Sequence, residues 1–214
     1  MQEVFLTIQG EGPLAGTPAV FIRGQHCHLH CKFCDSEFDS CYEISLKALL
    51  KQVQELSQGT VQLVVITGGE PMLQNIEPLC SNLISLGYRV QIETAGTLWV
   101  PGLEDMDELM IVVSPKVRKV HAMIEKHAAA WKYIVTAGEV DVDGLPIGST
   151  QLGIGVEGLK KQRMPSLIAR PPKGTTVDHI FVQPCDEHDL IKNEKNVAFT
   201  AQIAIEYGYR LSLQ

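Results

Sequence analysis

The stretch VQLVVITGGEP, from Val61 to Pro71, decides the fold. Its apolar part has the length of a strand and does not alternate with polar residues, which is typical of a strand buried on both faces of a parallel sheet. The run ends at two glycines followed by Glu70 and Pro71, where regular structure breaks. The stretch therefore predicts a parallel strand that opens into a glycine-rich loop at its carboxyl end.

The segments on both sides repeat a strand–helix alternation. Upstream, Ala19 to Arg23 has the pattern of a buried strand, and apolar residues at helical spacing from Leu46 to Leu56 follow a candidate N-cap at Ser45. Downstream, a helix is predicted from Asn75 to Leu86, with Pro78 in its first turn and Gly87 as its stop.

The alternation continues to the end of the chain. Further strands are predicted in YRVQIETAGT, MIVVSPK, WKYIV and DHIFVQP, followed by a helix from Asn193 to Tyr207 and a short strand in YRLSLQ. Strands that alternate with helices favour right-handed βαβ units and a parallel sheet. Because about six strands are too few for a closed eight-stranded barrel, the predicted fold is α/β, a partial, open TIM-like β/α barrel of about six mostly parallel strands. The glycine- and proline-rich region from Gly138 to Lys173 is predicted to be irregular.

Composition limits the class of protein. The chain has 214 residues, of which 45% are hydrophobic and 20% charged, so we expect one globular domain over residues 1–214. The net charge of -7 argues against nucleic acid as the main ligand. The start of the chain lacks the pattern of a signal peptide, and no apolar run is long enough to cross a membrane. We therefore expect a cytoplasmic protein with no membrane partner, whose six cysteines are thiols or metal ligands.

The loop CHLHCKFCDS, from Cys27 to Ser36, places three cysteines close together after a predicted strand. Three thiolates cannot complete a four-coordinate zinc site or the four cysteine positions of a cubane iron–sulfur cluster. The loop must therefore recruit a fourth ligand or leave one metal position open. A zinc site that also uses a nearby histidine or cysteine is one alternative, and its candidates are His26, His28, His30 and Cys41.

The spacing C-x3-C-x2-C, with Phe33 before the last cysteine, resembles the radical S-adenosylmethionine superfamily. In that superfamily three cysteines hold a 4Fe–4S cluster, and S-adenosylmethionine chelates the fourth iron through its amino and carboxylate groups. TGGEP at Thr67 to Pro71 resembles the glycine-rich segment that approaches the methionyl amino group, and SPK at Ser114 to Lys116 resembles the segment that meets the ribose and carboxylate.

A narrower resemblance covers nearly the whole chain. The motifs IQGEG (Ile8–Gly12), CDS, ETAGT (Glu93–Thr97), FVQP and YRLSLQ are similar to those of the 7-carboxy-7-deazaguanine synthase family. The resemblance implies a radical ring contraction of 6-carboxy-5,6,7,8-tetrahydropterin to 7-carboxy-7-deazaguanine, with loss of ammonia, on the route to queuosine and related deazapurines. It also implies that a 5′-deoxyadenosyl radical abstracts the hydrogen at C6 of the pterin.

The resemblance assigns roles to individual residues. Cys27, Cys31 and Cys34 would hold the cluster. The residues that would surround S-adenosylmethionine are Phe33, Cys34, Asp35, Gly69, Ser114, Pro115, Lys116, Gln183, Pro184, Cys185 and Asp186. Those that would meet the pterin are Ile8, Gln9, Gly10, Glu11, Arg23, Thr67 and Glu93. The guanidinium of Arg23 suits a substrate carboxylate, although a salt bridge at the strand end is an alternative for it. No side chain is assigned as a catalytic group, because the cofactor generates the radical.

The family also uses magnesium, which would bind the hydroxyl of Ser36, where the family usually has Thr. Two other differences concern the substrate. ETAGT replaces the usual ETNGT, and the family's chains continue beyond LSLQ through a segment containing His and Lys, so we expect substrate closure to differ.

The partners that the resemblance implies are the small-molecule pterin, a flavodoxin- or ferredoxin-type reductant and a second copy in a homodimer. The remaining alternatives are an activating enzyme of the glycyl-radical type and a non-catalytic zinc-binding module.

Overall fold

The computed structural model describes residues 1–34, 41–148 and 168–213. In these residues eight strands form one sheet in chain order. The strands are β1 (Glu3–Ile8), β2 (Pro18–Gly24), β3 (Leu63–Gly68), β4 (Arg89–Thr94), β5 (Leu109–Val113), β6 (Ala128–Val135), β7 (Ile180–Pro184) and β8 (Arg210–Leu211).

The sheet is mostly parallel and open. β1 pairs antiparallel with β2, and every later neighbouring pair is parallel. The ordered pairing runs from β1 at one edge to the two-residue β8 at the other, so the described strands do not close into a ring. The six longer parallel strands β2 to β7 confirm the predicted partial barrel.

Four helices accompany the described strands: α1 (Leu46–Ser57), α2 (Glu77–Ser85), α3 (Ala122–His127) and α4 (Leu190–Tyr207). Ser45 caps α1 as predicted, because its Oγ accepts a hydrogen bond from the backbone nitrogen of Ala48 over 3.3 Å. α4 begins three residues before its predicted start, since the carboxylate of Asp189 accepts hydrogen bonds from the backbone nitrogens of Ile191 and Lys192. The six-residue α3 was not predicted, because it is too short to show a repeating apolar pattern.

The two faces of the sheet have different roles. Residues such as Val64, Ile66 and Ile92 lie in the main core between the sheet and the helices. On the concave face, two small apolar clusters around Val65 and Phe181 fill the amino-terminal half. Because strand residues alternate between faces, the next concave positions toward the carboxyl ends are Thr67, Glu93, Lys132 and Gln183, so the concave face becomes polar there.

The region from Gly138 to Lys173 is irregular where it is described. Its two described parts are joined by an ion pair between Arg170 Nε and Asp143 Oδ2 at 2.7 Å. Within the described ranges, no helix has the length and apolar character needed to cross a membrane.

Candidate active site

The polar end of the concave face surrounds a cavity of about 510 Å³. All seven residues that the sequence assigns to the substrate line it, from Ile8 to Glu93, together with the three cysteines of the loop. Most of the residues assigned to the cofactor also line it: Phe33, Cys34, Gly69, Ser114, Lys116, Gln183, Pro184 and Asp186. Pro115 and Cys185 belong to the same segments but do not line the cavity, and Asp35 and Ser36 lie outside the described residues.

The cysteine loop lies at one wall of this cavity. Cys27 and Cys31 are partly buried and Cys34 is exposed. Burial raises the pKa of the Cys27 thiol, and the charges of Glu70, Cys31 and Cys34 raise it further, whereas a hydrogen bond from the Leu29 nitrogen to Cys27 Sγ at 3.4 Å lowers it. Three thiolates this close repel one another, and bound iron ions relieve that repulsion. The donor set therefore fits a cationic iron–sulfur cluster.

The same loop does not form a zinc site in the described residues. Across residues 1–34, 41–148 and 168–213, no three His, Cys, Asp or Glu side chains converge closely enough to hold a single metal ion. A mononuclear zinc site needs four ligands that meet at one ion, whereas a cubane cluster is held by cysteines spaced around it. In the described residues, the cysteines and the nearby histidines are therefore not gathered around one metal position.

The glycines at the end of β3 are packed against the start of this loop. A Cβ added at Gly68 would overlap with the backbone of Gly24, and one added at Gly69 would overlap with the carbonyl oxygen of His26. Gly68 has a φ of 133°, which an L side chain rarely adopts. The two glycines are therefore required for the close approach of the two backbones, and both face the cavity.

The buried carboxylate of Glu70 holds this segment against the end of β4. It accepts hydrogen bonds from Thr94 Oγ1 at 2.7 Å, from the Ala95 nitrogen at 2.9 Å and from the Met72 nitrogen at 3.1 Å. No role for Glu70 itself follows from the sequence. Its contacts make it the connection between the TGGEP and ETAGT segments.

Lys116 lies next to the cluster loop. Its Nζ donates a hydrogen bond to the Ser114 carbonyl oxygen at 3.0 Å, contacts Ser114 Oγ, and lies 5.6 Å from the ring centroid of Phe33. Burial lowers the pKa of Lys116, while the negative charges of Cys31 and Glu70 raise it. A cation in this position suits a carboxylate ligand.

Glu93 is the centre of a polar cluster that also lines the cavity. Its carboxylate accepts hydrogen bonds from Gln9 Nε2 at 2.8 Å, Gln91 Nε2 at 3.0 Å and Thr67 Oγ1 at 3.4 Å. Burial raises the pKa of Glu93, against the lowering effect of these hydrogen bonds. Gln91 was not predicted to belong to the site.

Arg23 makes the strand-end salt bridge that the sequence analysis considered as an alternative. Its Nε lies 2.8 Å from Glu3 Oε1, and its Cζ lies 6.0 Å from the ring centroid of Phe5. Arg23 nevertheless lines the cavity. The ion pair therefore anchors the side chain at the edge of the site.

Lys132 is a buried cation that the sequence analysis missed. Its Nζ pairs directly with Glu11 Oε2, and Gln183 Nε2 donates a hydrogen bond to Glu11 Oε1 at 3.0 Å. The signal was a lysine inside the otherwise apolar strand WKYIV. A lysine in a buried strand is rare unless its side chain faces a polar interior.

Comparisons with known proteins identify the family of this chain. A family model described as "Radical SAM superfamily" matches residues 21–121. A 7-carboxy-7-deazaguanine synthase of Rhodospirillum rubrum is 41% identical and covers 100% of this chain and 88% of its own length. One from Rickettsia prowazekii is 36% identical and covers 100% of this chain and 85% of its own length.

A solved structure has the same fold. The crystal structure of QueE from Escherichia coli superposes with a TM-score of 0.69 at 26% sequence identity, covering 100% of this chain and 92% of that chain. With its cysteine loop, its glycine segment and relatives matched over its full length, this chain belongs to the 7-carboxy-7-deazaguanine synthase family of radical S-adenosylmethionine proteins.

Proposed function

We propose that this chain converts 6-carboxy-5,6,7,8-tetrahydropterin to 7-carboxy-7-deazaguanine, with release of ammonia. The observation that carries the proposal is one cavity lined by both the three-cysteine loop and the polar cluster around Glu93. A radical generated at the loop would be formed next to a substrate held at the polar cluster. The relatives that bear this activity in their names support the assignment.

Cys27, Cys31 and Cys34 would hold the 4Fe–4S cluster. With bound S-adenosylmethionine, the cluster supplies the one-electron chemistry that starts the reaction. The methionyl group would lie beside the cysteine loop, where Gly68 and Gly69 line the cavity, and the Lys116 ammonium offers a charge partner for its carboxylate.

The polar cluster would hold the pterin. Glu93 offers a carboxylate to the amino and ring N–H groups of a pyrimidine edge, and Gln9, Gln91 and Thr67 fix the orientation of that carboxylate. Arg23 uses its Nε in the ion pair with Glu3. The terminal amino groups of the Arg23 guanidinium can therefore meet the substrate carboxylate. These contacts would hold the ring in one orientation for the hydrogen transfer.

We also propose the remaining features that the family resemblance implies. Ser36 would contribute its hydroxyl to a magnesium ion that binds the substrate carboxylate. Residues 1–214 would act as a single radical S-adenosylmethionine domain in a homodimer. A flavodoxin- or ferredoxin-type protein would supply the electron.

The test uses the reconstituted, reduced protein under anaerobic conditions, with S-adenosylmethionine, magnesium and carboxytetrahydropterin. We expect 7-carboxy-7-deazaguanine and ammonia to form in equal amounts. A protein that forms 5′-deoxyadenosine but no deazaguanine would contradict the proposed substrate. A colourless protein that retains stoichiometric zinc after reconstitution would contradict the cluster itself.

A further inference from the structure

We propose that Lys132 and Glu11 form the acid–base pair that completes ammonia loss. Lys132 donates a proton to the departing ring nitrogen, and Glu11 accepts the proton that a ring carbon releases as the five-membered ring becomes aromatic. This inference rests on the proposed function, because it concerns the second half of the same reaction. It gives the site two groups that take part in proton transfer.

The pair is built into the wall of the cavity from three separate parts of the fold. Lys132 comes from β6, Glu11 follows β1, and Gln183 from β7 holds the second carboxylate oxygen of Glu11 at 3.0 Å. The backbone nitrogen of Glu11 also donates a hydrogen bond to Gln9 Oε1 at 3.0 Å. Gln9 in turn contacts Glu93, so the pair is attached directly to the groups proposed to hold the pterin.

Burial makes this pair unusual. The side chains of Lys132 and Glu11 are only 8% and 12% exposed. A buried ion pair is a weak source of stability, because the loss of hydration offsets most of the attraction. Since two apolar side chains would serve the fold as well, a buried pair that faces a substrate cavity indicates a chemical role. Burial also lowers the pKa of Lys132 to about 8, which brings proton release closer to neutral pH.

The other titratable groups along the described cavity wall are less suited to this step. The three cysteines are committed to the cluster, and the guanidinium of Arg23 does not release a proton. Glu93 is proposed to bind the pyrimidine edge of the pterin, and Lys116 lies beside the cluster loop, where it donates a hydrogen bond to Ser114. Asp186 and His188 are exposed at the rim, where their side chains are 65% and 68% accessible.

The proposed step balances without an added reagent. A C–H bond breaks, its proton goes to Glu11, and its electron pair forms a carbon–carbon double bond. The C–N bond breaks with its electron pair, and the nitrogen takes a proton from Lys132 and leaves as ammonia. The protonated Glu11 then returns its proton to neutral Lys132 through their direct contact, which restores the pair. The elimination involves no net oxidation or reduction.

The experiment compares the wild-type holoenzyme with the double variant Glu11→Gln/Lys132→Gln. The two amides keep similar size and can still bond to each other, and neither buried charge is left alone. The matched control is Lys51→Gln/Glu55→Gln, which makes the same change at an exposed ion pair on α1. The measurements are substrate affinity, deuterium transfer from C6-labelled substrate to 5′-deoxyadenosine, ammonia and deazaguanine.

In the double variant, we expect ammonia and deazaguanine to fall about 100-fold or more, whereas substrate affinity, to which Glu11 also contributes, and deuterium transfer fall much less. Deazaguanine at the wild-type rate would overturn the proposal. So would an equal loss of affinity, deuterium transfer and product, because that pattern belongs to a residue that only positions the substrate.

A second variant, Lys132→Arg, separates charge from proton transfer. It keeps the cation beside Glu11, but a guanidinium does not release its proton in proteins. We expect the same selective loss of ammonia and deazaguanine, and full product formation by this variant would overturn the proposal. If the wild-type protein transfers deuterium but forms no deazaguanine, the proposed function itself fails, and the acid–base assignment fails with it.

Discussion

The backbone nitrogen of Glu70 donates a hydrogen bond to the carbonyl oxygen of His26 over 2.9 Å. This contact joins the glycine segment after β3 to the residue before the first cysteine of the cluster loop. His26 and Glu70 are 44 positions apart in the chain. In the fold they form one backbone surface on which the cluster and its cofactor would be held.

Gly69→Ala tests how close this contact must be. The new methyl group would overlap with the His26 carbonyl oxygen, so the cluster loop would have to move at a cost of about 1–3 kcal/mol. We expect the variant to hold less iron after reconstitution and to unfold at a lower temperature, which iron analysis and circular dichroism would measure.

The control for this variant is Gly24→Ala, at the end of the neighbouring strand β2. A Cβ at Gly24 would have its nearest neighbour, the Thr67 carbonyl oxygen, at an ordinary distance of 3.5 Å. Normal iron content in the control and in Gly69→Ala alike would contradict the required close approach.

Glu70→Gln tests the connection between the TGGEP and ETAGT segments. A glutamine has one acceptor oxygen, so its NH₂ group would face a backbone N–H or the Thr94 hydroxyl in place of a carboxylate oxygen. We expect a loss of about 1–3 kcal/mol in the free energy of unfolding, from an unsatisfied buried donor. Glu108→Gln, at an exposed position, is the control and should change stability little. A Glu70→Gln protein as stable as wild type would show that these hydrogen bonds are not needed.

The parts of the site that the sequence predicted are local patterns. Both the three-cysteine loop and the glycines after β3 are contained in stretches of about ten residues, and the apolar character of β3 places its loop at the carboxyl edge of a parallel sheet. The alternation of strands and helices then brings such loops to one side of the fold. The cysteine loop, the glycine segment and the side of the fold on which they lie therefore follow from the sequence alone.

The parts that were missed depend on contacts between distant residues. Lys132 and Glu11 are 121 positions apart, and nothing near either residue in the chain indicates the other. The periodicity of WKYIV shows that Lys132 faces away from its neighbours Trp131 and Tyr133, but not that this side is an enclosed polar cavity. The sequence likewise shows Glu70 only as part of the TGGEP motif. Its hydrogen-bond donors, Thr94 and Ala95, lie at the end of β4 and cannot be identified from the residues around Glu70.

Ser36→Ala tests the proposed magnesium site. Because its hydroxyl would ligate the metal and not the cluster, we expect deazaguanine formation to fall at least about tenfold while 5′-deoxyadenosine formation changes much less. Both products would be measured by liquid chromatography over a magnesium titration. Ser36→Thr keeps a hydroxyl at this position and introduces the residue that the family usually has, so it should keep the wild-type activity. An equal loss of both products in Ser36→Ala would contradict a metal role.

Glu93→Gln tests whether the centre of the polar cluster is kept for function at a cost in stability. Burial raises the pKa of Glu93 above its ordinary value of 4.5. The folded state therefore holds more protons than the unfolded state between pH 4.5 and the raised pKa, and Glu93 lowers stability as pH rises through that window. A glutamine does not titrate, and its NH₂ group can donate to Gln91 Oε1, which has no hydrogen-bond partner among the residues that the structure describes.

We expect Glu93→Gln to raise the free energy of unfolding by about 1 kcal/mol at neutral to alkaline pH and by less in acid, while substrate affinity falls. Chemical denaturation at several pH values measures the first effect, and equilibrium dialysis measures the second. Glu104→Gln is the control, and it should lower the free energy of unfolding at neutral pH. Hydrogen bonds lower the pKa of that exposed carboxylate and stabilise its charged form, which the glutamine lacks. If Glu93→Gln were less stable than wild type at every pH, the carboxylate would be a structural group, and its place at the centre of the pterin site would need another explanation.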